Sequence, residues 1–303
     1  MLKPISIILH SLLLLVFIGT WGSVVYYFEF APSLTSAATL ESTPTVLSSM
    51  PVATDTAIPT LVPSPSATVE PTPDANWTLL QPGLERRVFE IYNGQNQHAE
   101  SLYVWRLDQN HFRMDVAYTE RPKSLDAWQK ETNAELVVNG GYFSIENERY
   151  FPDGLAISNG QPFGRSFNGF GGMLAIDQSG AQVRWLVQEP YNPDEPLQAA
   201  LQAFPILVQP GGELGFPADR ENYARARRTV IAQDRDGRML FMVAPKGYFT
   251  LHQLSVYLTE SDLNLDVALN LDGGGSTGIL VANPREIISP RTLLPFVILV
   301  YAR

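Results

Sequence analysis

Residues 77–303 are cut into a dozen short runs of alternating or β-branched residues, and this punctuation limits the fold more than any other feature. The runs lie at 87–92, 101–107, 112–118, 135–139, 154–158, 173–177, 182–187, 229–234, 239–244, 266–271, 277–281 and 296–301. Each has strand length, and turn residues separate several of them. Asp236-Gly237 and Ser179-Gly180 each stand between two apolar runs and read as hairpin turns. Helices are fewer. The pattern predicts one at 123–132, a short one at 197–203 and the clearest at 251–262. There Thr250 and Gln253 have capping-box spacing, and Leu251, Leu254 and Leu258 share a face. Strands outnumber scattered helices, so the expected class is α+β: a mixed, largely antiparallel sheet with a few helices.

The first quarter of the chain differs in kind. Residues 4–28 contain no Lys, Arg, Asp or Glu, enough apolar length to span a bilayer. Lys3 precedes the run, Glu29 follows it, and Trp21, Tyr26 and Tyr27 lie toward its far end. The reading is a transmembrane signal-anchor over 1–30, with the rest of the chain outside the cytoplasm. A cleaved signal peptide, cut near Ser36-Ala37-Ala38, is the rival and also exports the domain. Residues 31–76 hold 8 Pro, 7 Ser and 9 Thr and no Gly. That composition cannot repay the entropy of ordering, and dense proline stiffens it into a linker or stalk. The expected organisation is anchor, linker, and one domain over 77–303, a length sufficient for a full core.

Composition removes several functions. The chain has no Cys, so it has no disulfide framework, no thiol nucleophile and no Cys-ligated metal. Its domain carries 20 basic and 26 acidic residues with no basic stripe, which argues against nucleic acid as a partner. His98, His111 and His252 stand apart, without metal-ligand spacing. A Ser–His hydrolase or His-bound zinc enzyme is therefore not expected, and no cofactor is called for. A metal requirement is left open.

Two strand endings carry the chemistry. Residues 266–279 read DVALNLDGGGSTGI. Alternation puts Asn270 and Asp272 on one strand face, immediately before Gly273, Gly274 and Gly275. Bare glycine backbone permits close approach of a ligand and offers successive N–H groups to an anion, and Ser276 and Thr277 add hydroxyls. The absence of a following Lys excludes a P-loop. A Gly-rich turn capped by Asp272 is the structural alternative. Residues 135–143 read ELVVNGGYF: Asn139 ends an apolar strand, followed by Gly140, Gly141, Tyr142 and Phe143. Aromatic faces beside a Gly turn suit a sugar ring, although the same aromatics could serve the core. Arg227-Arg228-Thr229 enters another strand, where a guanidinium fork suits phosphate oxygens. Asp153 is a turn residue and a candidate second carboxylate. Arg165 lies in the Gly-rich loop 160–172, which reads as a mobile cover.

These segments occur in a telling order: NGGYF, DGLAISNGQ (153–161), RRTVIAQDRDGRMLFMV (227–243), TLHQL (250–254) and ALNLDGGGST (268–277). Together they resemble the phosphodiester glycosidase family. The resemblance implies a mixed α/β domain that hydrolyses a sugar-1-phosphodiester at its glycosidic bond. It carries a role in the site to Asn139, Gly140, Gly141, Asp153, Arg228, Thr229, Asn270, Asp272 and glycines 273–275. In the implied mechanism Asp272, Asn270 and Arg228 are catalytic. The substrate is held by Asn139, Gly140, Gly141, Phe143, Asp153, Thr229, Gly273, Gly274, Gly275, Ser276 and Thr277. An exported, tethered domain would meet carbohydrate phosphodiesters of the envelope or of exopolysaccharide. Two other readings use the same residues: a non-catalytic glycan-binding module, and a metal-dependent phosphodiesterase built on Asp153, Asp234 and Asp272.

Overall fold

The computed structural model describes residues 76–303 apart from Asn168. The expected anchor at 1–30 and all but the last residue of the linker lie outside the described residues. Among the described residues no helix is long and apolar enough to cross a membrane.

Three antiparallel sheets and a hairpin make up the domain. The largest has eight strands in the order β1 (Thr78–Gln81), β2 (Leu84–Tyr92), β3 (His98–Leu107), β16 (Met239–Ala244), β15 (Arg228–Asp234), β17 (Leu265–Asn270), β13 (Ile206–Gln209) and β14 (Glu213–Leu214). The second runs β11 (Gly180–Trp185), β10 (Gly172–Asp177), β12 (Ala199–Ala203), β8 (Ala156–Ser158), β9 (Gln161–Phe163). The third runs β19 (Glu286–Ile288), β18 (Ile279–Val281), β5 (Leu136–Asn139), β20 (Leu294–Ala302), β4 (Phe112–Lys123). β6 (Phe143–Glu146) and β7 (Arg149–Pro152) form the hairpin. With the helices α1 (Leu125–Thr132) and α2 (Leu251–Thr259), this is the expected α+β class.

The period-2 pattern decides which residues meet. Ile231, Phe241, Val243, Val267 and Leu269 join residues of the other two sheets, such as Leu136, Val138, Leu174, Leu201 and Ile298, in one central core. Their neighbours Val230, Ala232, Leu240, Met242 and Ala268 face the opposite way and pack beneath α2 through Leu254 and Leu258. Each fully buried aliphatic side chain contributes about 1.5–3 kcal/mol. α2 starts as its sequence predicts: the Thr250 hydroxyl accepts from the Gln253 N–H, and the Gln253 side chain accepts from the Thr250 N–H. α1 packs Leu125 and Trp128 on the outer face of the third sheet.

One element is the reverse of its expectation. Residues 197–203 are rich in Leu, Ala and Gln and read as a helix, yet 199–203 form strand β12, buried along its whole length. Ala199, Leu201 and Ala203 face the central core, while Ala200 faces a satellite cluster with Ile157 and Met173. Small residues suit a strand enclosed on both sides, and that burial outweighs helix propensities worth tenths of a kcal/mol per residue. Both expected hairpin turns are present, between β15 and β16 and between β10 and β11.

The functional consequence lies at two strand ends. β5 and β17 belong to different sheets but finish side by side. The Asp272 N–H donates to the Gly140 carbonyl at 3.2 Å, and the Gly140 N–H donates to the Phe296 carbonyl at 3.2 Å.

Candidate active site

Asn139 ends β5 with no exposed surface, and its amide is fully engaged. Nδ2 donates to the Asp272 carbonyl (2.8 Å) and the Gly140 carbonyl (3.2 Å). Oδ1 accepts from the Thr229 hydroxyl (2.7 Å) and the Gly278 N–H (3.0 Å). Two donors and two acceptors are all that a primary amide side chain has to offer. Asn139 therefore ties together β5, β15 and both ends of the 272–278 loop. This corrects the expectation that Asn139 and Thr229 hold substrate: both are sealed in, and their polar groups answer to each other. Gly140 and Gly141 are corrected likewise. A Cβ on Gly140 would fall 2.6 Å from the Phe296 ring, and one on Gly141 2.9 Å from the Gln202 carbonyl. These glycines permit close packing of the sheets rather than approach of a ligand. Thr277 is also fully buried, and its hydroxyl has no partner among the described residues.

Asn270 is 1% exposed. Its Nδ2 lies 2.7 Å from the Tyr142 hydroxyl, 3.0 Å from the Phe204 carbonyl and 2.9 Å from the Leu271 carbonyl. Its Oδ1 is buried without a partner. Direct contact with a sugar hydroxyl, as the sequence suggests, is not what this burial provides; Asn270 positions Tyr142. Tyr142 in turn donates to the Phe204 carbonyl at 2.9 Å and stacks on the Phe204 ring at 4.5 Å. Burial, then the negative charge of Asp272, hold the Tyr142 hydroxyl above its ordinary pKa, while Arg228 and Asn270 oppose them. Phe143 is half-buried against the core and Tyr150.

Asp272 is the accessible member of the group, half-buried rather than sealed. One carboxylate oxygen accepts from the Gly273 N–H at 2.8 Å, and Ser276 also hydrogen-bonds to the carboxylate. Desolvation dominates these bonds and pushes its pKa to about 6, with the charge of Asp153 adding in the same direction. Asp153 is solvent-exposed, yet surrounding protein desolvates its carboxyl enough to raise its pKa against a hydrogen bond from Ser144. Glycines 273–275 are half-buried and follow directly. Gly274 has φ +57°, with no atom within 4 Å of where a Cβ would stand, so its backbone is open.

Arg228 is 8% exposed and makes no ion pair among the described residues. Nη2 donates to the Ala224 carbonyl (2.8 Å) and Nε to the Phe249 carbonyl (3.4 Å), which leaves Nη1 uncommitted. Burial lowers its pKa, and the nearby Tyr142 and Glu221 oppose that. The guanidinium stays charged regardless.

Sequence reasoning misses two supports and one spacing. Gln202 lies inside the segment misread as a helix. Its Oε1 accepts from the Phe167 N–H (2.7 Å) and the Leu155 N–H (3.2 Å), and its Nε2 donates to Ser166 (2.8 Å). Phe167 and Phe170 stack at 4.8 Å and both meet Phe204. Ser166, Phe167 and Phe170 of the loop read as a mobile cover thus lie against Gln202 and against Phe204, the ring stacked on Tyr142. The role of Tyr142 has a weak signal in its place directly after Asn-Gly-Gly. Residues 274–278, Gly-Gly-Ser-Thr-Gly, also fit the G-x-S-x-G spacing of a nucleophile elbow. Strand β18 rather than a helix follows, and Ser276 bonds to Asp272, so that reading fails on context.

The three-aspartate metal reading fails on distance. Asp234 ends β15, six residues and roughly 20 Å along the strand from Arg228. There it accepts from the backbone of Asp236 and Arg238 and pairs with the Arg238 guanidinium at 2.7 Å. Among the described residues no three His, Cys, Asp or Glu side chains are placed to hold a metal ion together.

The family model described as phosphodiester glycosidase matches residues 132–301, more than half of the chain. The chain belongs to the phosphodiester glycosidase family. Three solved structures are similar. The zebrafish N-acetylglucosamine-1-phosphodiester alpha-N-acetylglucosaminidase catalytic domain, auto-inhibited by its pro-peptide, has a TM-score of 0.58 at 18% identity, covering 74% of this chain and 85% of that one. A hypothetical protein from Synechocystis gives 0.51 at 13%, covering 77% and 64%. A putative exported protein from Burkholderia pseudomallei gives 0.50 at 12%, covering 67% and 74%. At these identities the likeness is one of fold. No curated protein matches the chain.

Two predictions follow from this geometry. Asn139→Ala strands the Thr229 hydroxyl, the Gly278 N–H and the Asp272 carbonyl inside the protein. At about 1 kcal/mol per net hydrogen bond the loss should be about 3–4 kcal/mol in urea unfolding; a loss under 1 kcal/mol would show that water reaches the site of the amide. Asp272 makes stability depend on pH. Its folded pKa is about 6 against 3.8 for the ordinary carboxyl, so between those values the folded protein binds more protons than the unfolded chain. Stability should fall as pH rises from about 4 to 6 and level off above, by about 3 kcal/mol relative to Asp272→Asn. Parallel pH curves for the two proteins would remove the shift.

Proposed function

We propose that this family member hydrolyses the glycosidic bond of sugar-1-phosphodiesters, with Asp272 as the catalytic carboxylate. The observation that carries the reading is the placement of a desolvated, half-accessible Asp272 two residues before the open Gly274, with an Arg228 that has no ion pair among the described residues near the same Tyr142. The family supports glycosidase chemistry, and the name of the zebrafish enzyme gives a phosphodiester of N-acetylglucosamine as the substrate of that protein.

The reaction needs two charges managed at once: positive charge developing on the sugar and negative charge leaving with the phosphate. With a pKa of about 6, Asp272 is roughly nine-tenths ionised at pH 7. It activates water at the anomeric carbon or supports the sugar cation. Nη1 of Arg228 and the Gly275 N–H hold the phosphate, while Ser276 and the Gly273 N–H fix the Asp272 carboxylate beside it. The departing phosphate is a weak base, so a strong general acid matters less. Asn139, Thr229 and Asn270 act beneath the surface, as positioning residues. We also place the domain outside the cytoplasm, tethered by the uncharged run at 4–28 and its proline-rich linker, where envelope or exopolysaccharide phosphodiesters are the substrates. Added protease on intact cells should remove the domain; complete protection would contradict that placement.

The activity test uses an alkyl sugar-1-phosphodiester. Asp272→Asn should lose about 10²–10⁴-fold in kcat with the fold intact. In the wild type the acid limb of kcat should have its midpoint near pH 6. Hydrolysis in water labelled with oxygen-18 should put label in the sugar. Label in the phosphate would mean P–O cleavage, and binding without turnover would make the domain a glycan-binding module.

A further inference from the structure

The guanidiniums of the neighbours Arg227 and Arg228 reach different partners. Arg228 reaches the carbonyls of Ala224 and Phe249, whereas Arg227 Nη2 donates to the Ser289 carbonyl at 3.0 Å, on the segment leading to Arg291. Arg227 is 7% exposed, its Nε is buried without a partner, and no carboxylate pairs with it among the described residues. Arg291 is exposed and equally unpaired.

Both arginines clasp the triglycine loop by their backbones. The Arg227 carbonyl accepts from the Gly274 N–H at 2.9 Å and lies 2.7 Å from where a Cβ on Gly273 would stand. The Arg291 N–H donates to the Gly275 carbonyl at 2.7 Å. Their side chains repel: the charge of Arg291, after burial itself, disfavours the charged form of Arg227. Glu100 is the carboxylate felt at Arg227, but its oxygens are taken by the backbone N–H groups of Ser101, Lys246, Gly247 and Tyr248. A buried cation beside a like charge is costly unless an anion joins it. Two guanidinium groups without a carboxylate partner, carried by residues whose backbones clasp Gly274 and Gly275, suit phosphate oxygens.

We propose that Arg227 and Arg291 form a second anion subsite, which binds a further phosphate on the aglycone beyond the scissile phosphodiester. The inference rests on the sugar-1-phosphodiester reading and narrows it. The preferred substrates have aglycones with a phosphate of their own, as a polymer of repeating phosphodiesters does.

The test compares two substrates with the same sugar-1-phosphodiester. One aglycone is a neutral alkyl alcohol, and the other is the same alcohol ending in a phosphate. The wild type should favour the doubly charged substrate by about 10–100-fold in kcat/KM. Arg291→Ala, at an exposed position, should bring that ratio close to one, and Arg291→Lys should keep part of it. A wild-type ratio of one, or a ratio that Arg291→Ala preserves while both rates fall together, would overturn the subsite. If neither substrate turns over, the glycosidase reading falls, and calorimetry with an alkane bisphosphate reads the subsite by itself. At least tenfold weaker binding to Arg291→Ala than to the wild type supports it, and equal or absent binding overturns it.

Discussion

The structure depends on one amide. Asn139 meets both ends of the 272–278 loop and the entry of β15 from its place at the end of β5. Its side-chain bonds add to the backbone bond from Asp272 to Gly140 in joining two sheets, in a region where unmade bonds are expensive. Together with the backbone bonds of Leu271 and Asp272, that tie sets the height at which Asp272 emerges. The half-exposure of Asp272 follows from this geometry, and so does its raised pKa.

Charge on the domain is unevenly matched. The domain is acidic overall, and among its buried arginines Arg106 pairs with Glu85 and Arg184 with Glu195. Arg227 and Arg228 pair with no carboxylate among the described residues, though both are buried. Unpaired positive charge attracts anions over the few ångströms where solvent screens least. In the proposed reaction this is where the phosphate binds.

The framework was legible because strand alternation is a local property, and the capped start of α2 was legible from Thr250 and Gln253 alone. β12 was not, since its Ala and Gln residues owe their conformation to sheets on both sides, which no local window contains. The two Asn/Asp-Gly-Gly endings read from the sequence do converge, while the depth of their side chains was not legible. Asn139, Thr229 and Asn270 bear the right chemistry but point inward, because exposure is set by neighbours from other sheets. Gln202 had no signal, being a lone polar residue in a segment with helical composition.

The central claim is that one carboxylate, presented by this tie, faces the reacting carbon of a phosphate-bearing sugar. A crystal structure with a non-hydrolysable sugar-1-phosphonate tests it most directly. The phosphonate should lie against Arg228 and the Gly275 N–H, with the anomeric carbon about 3–3.5 Å from the Asp272 carboxylate or from a water it holds. A ligand bound elsewhere, for instance in the concavity lined by Arg113, Asp115 and Asp177, would contradict it.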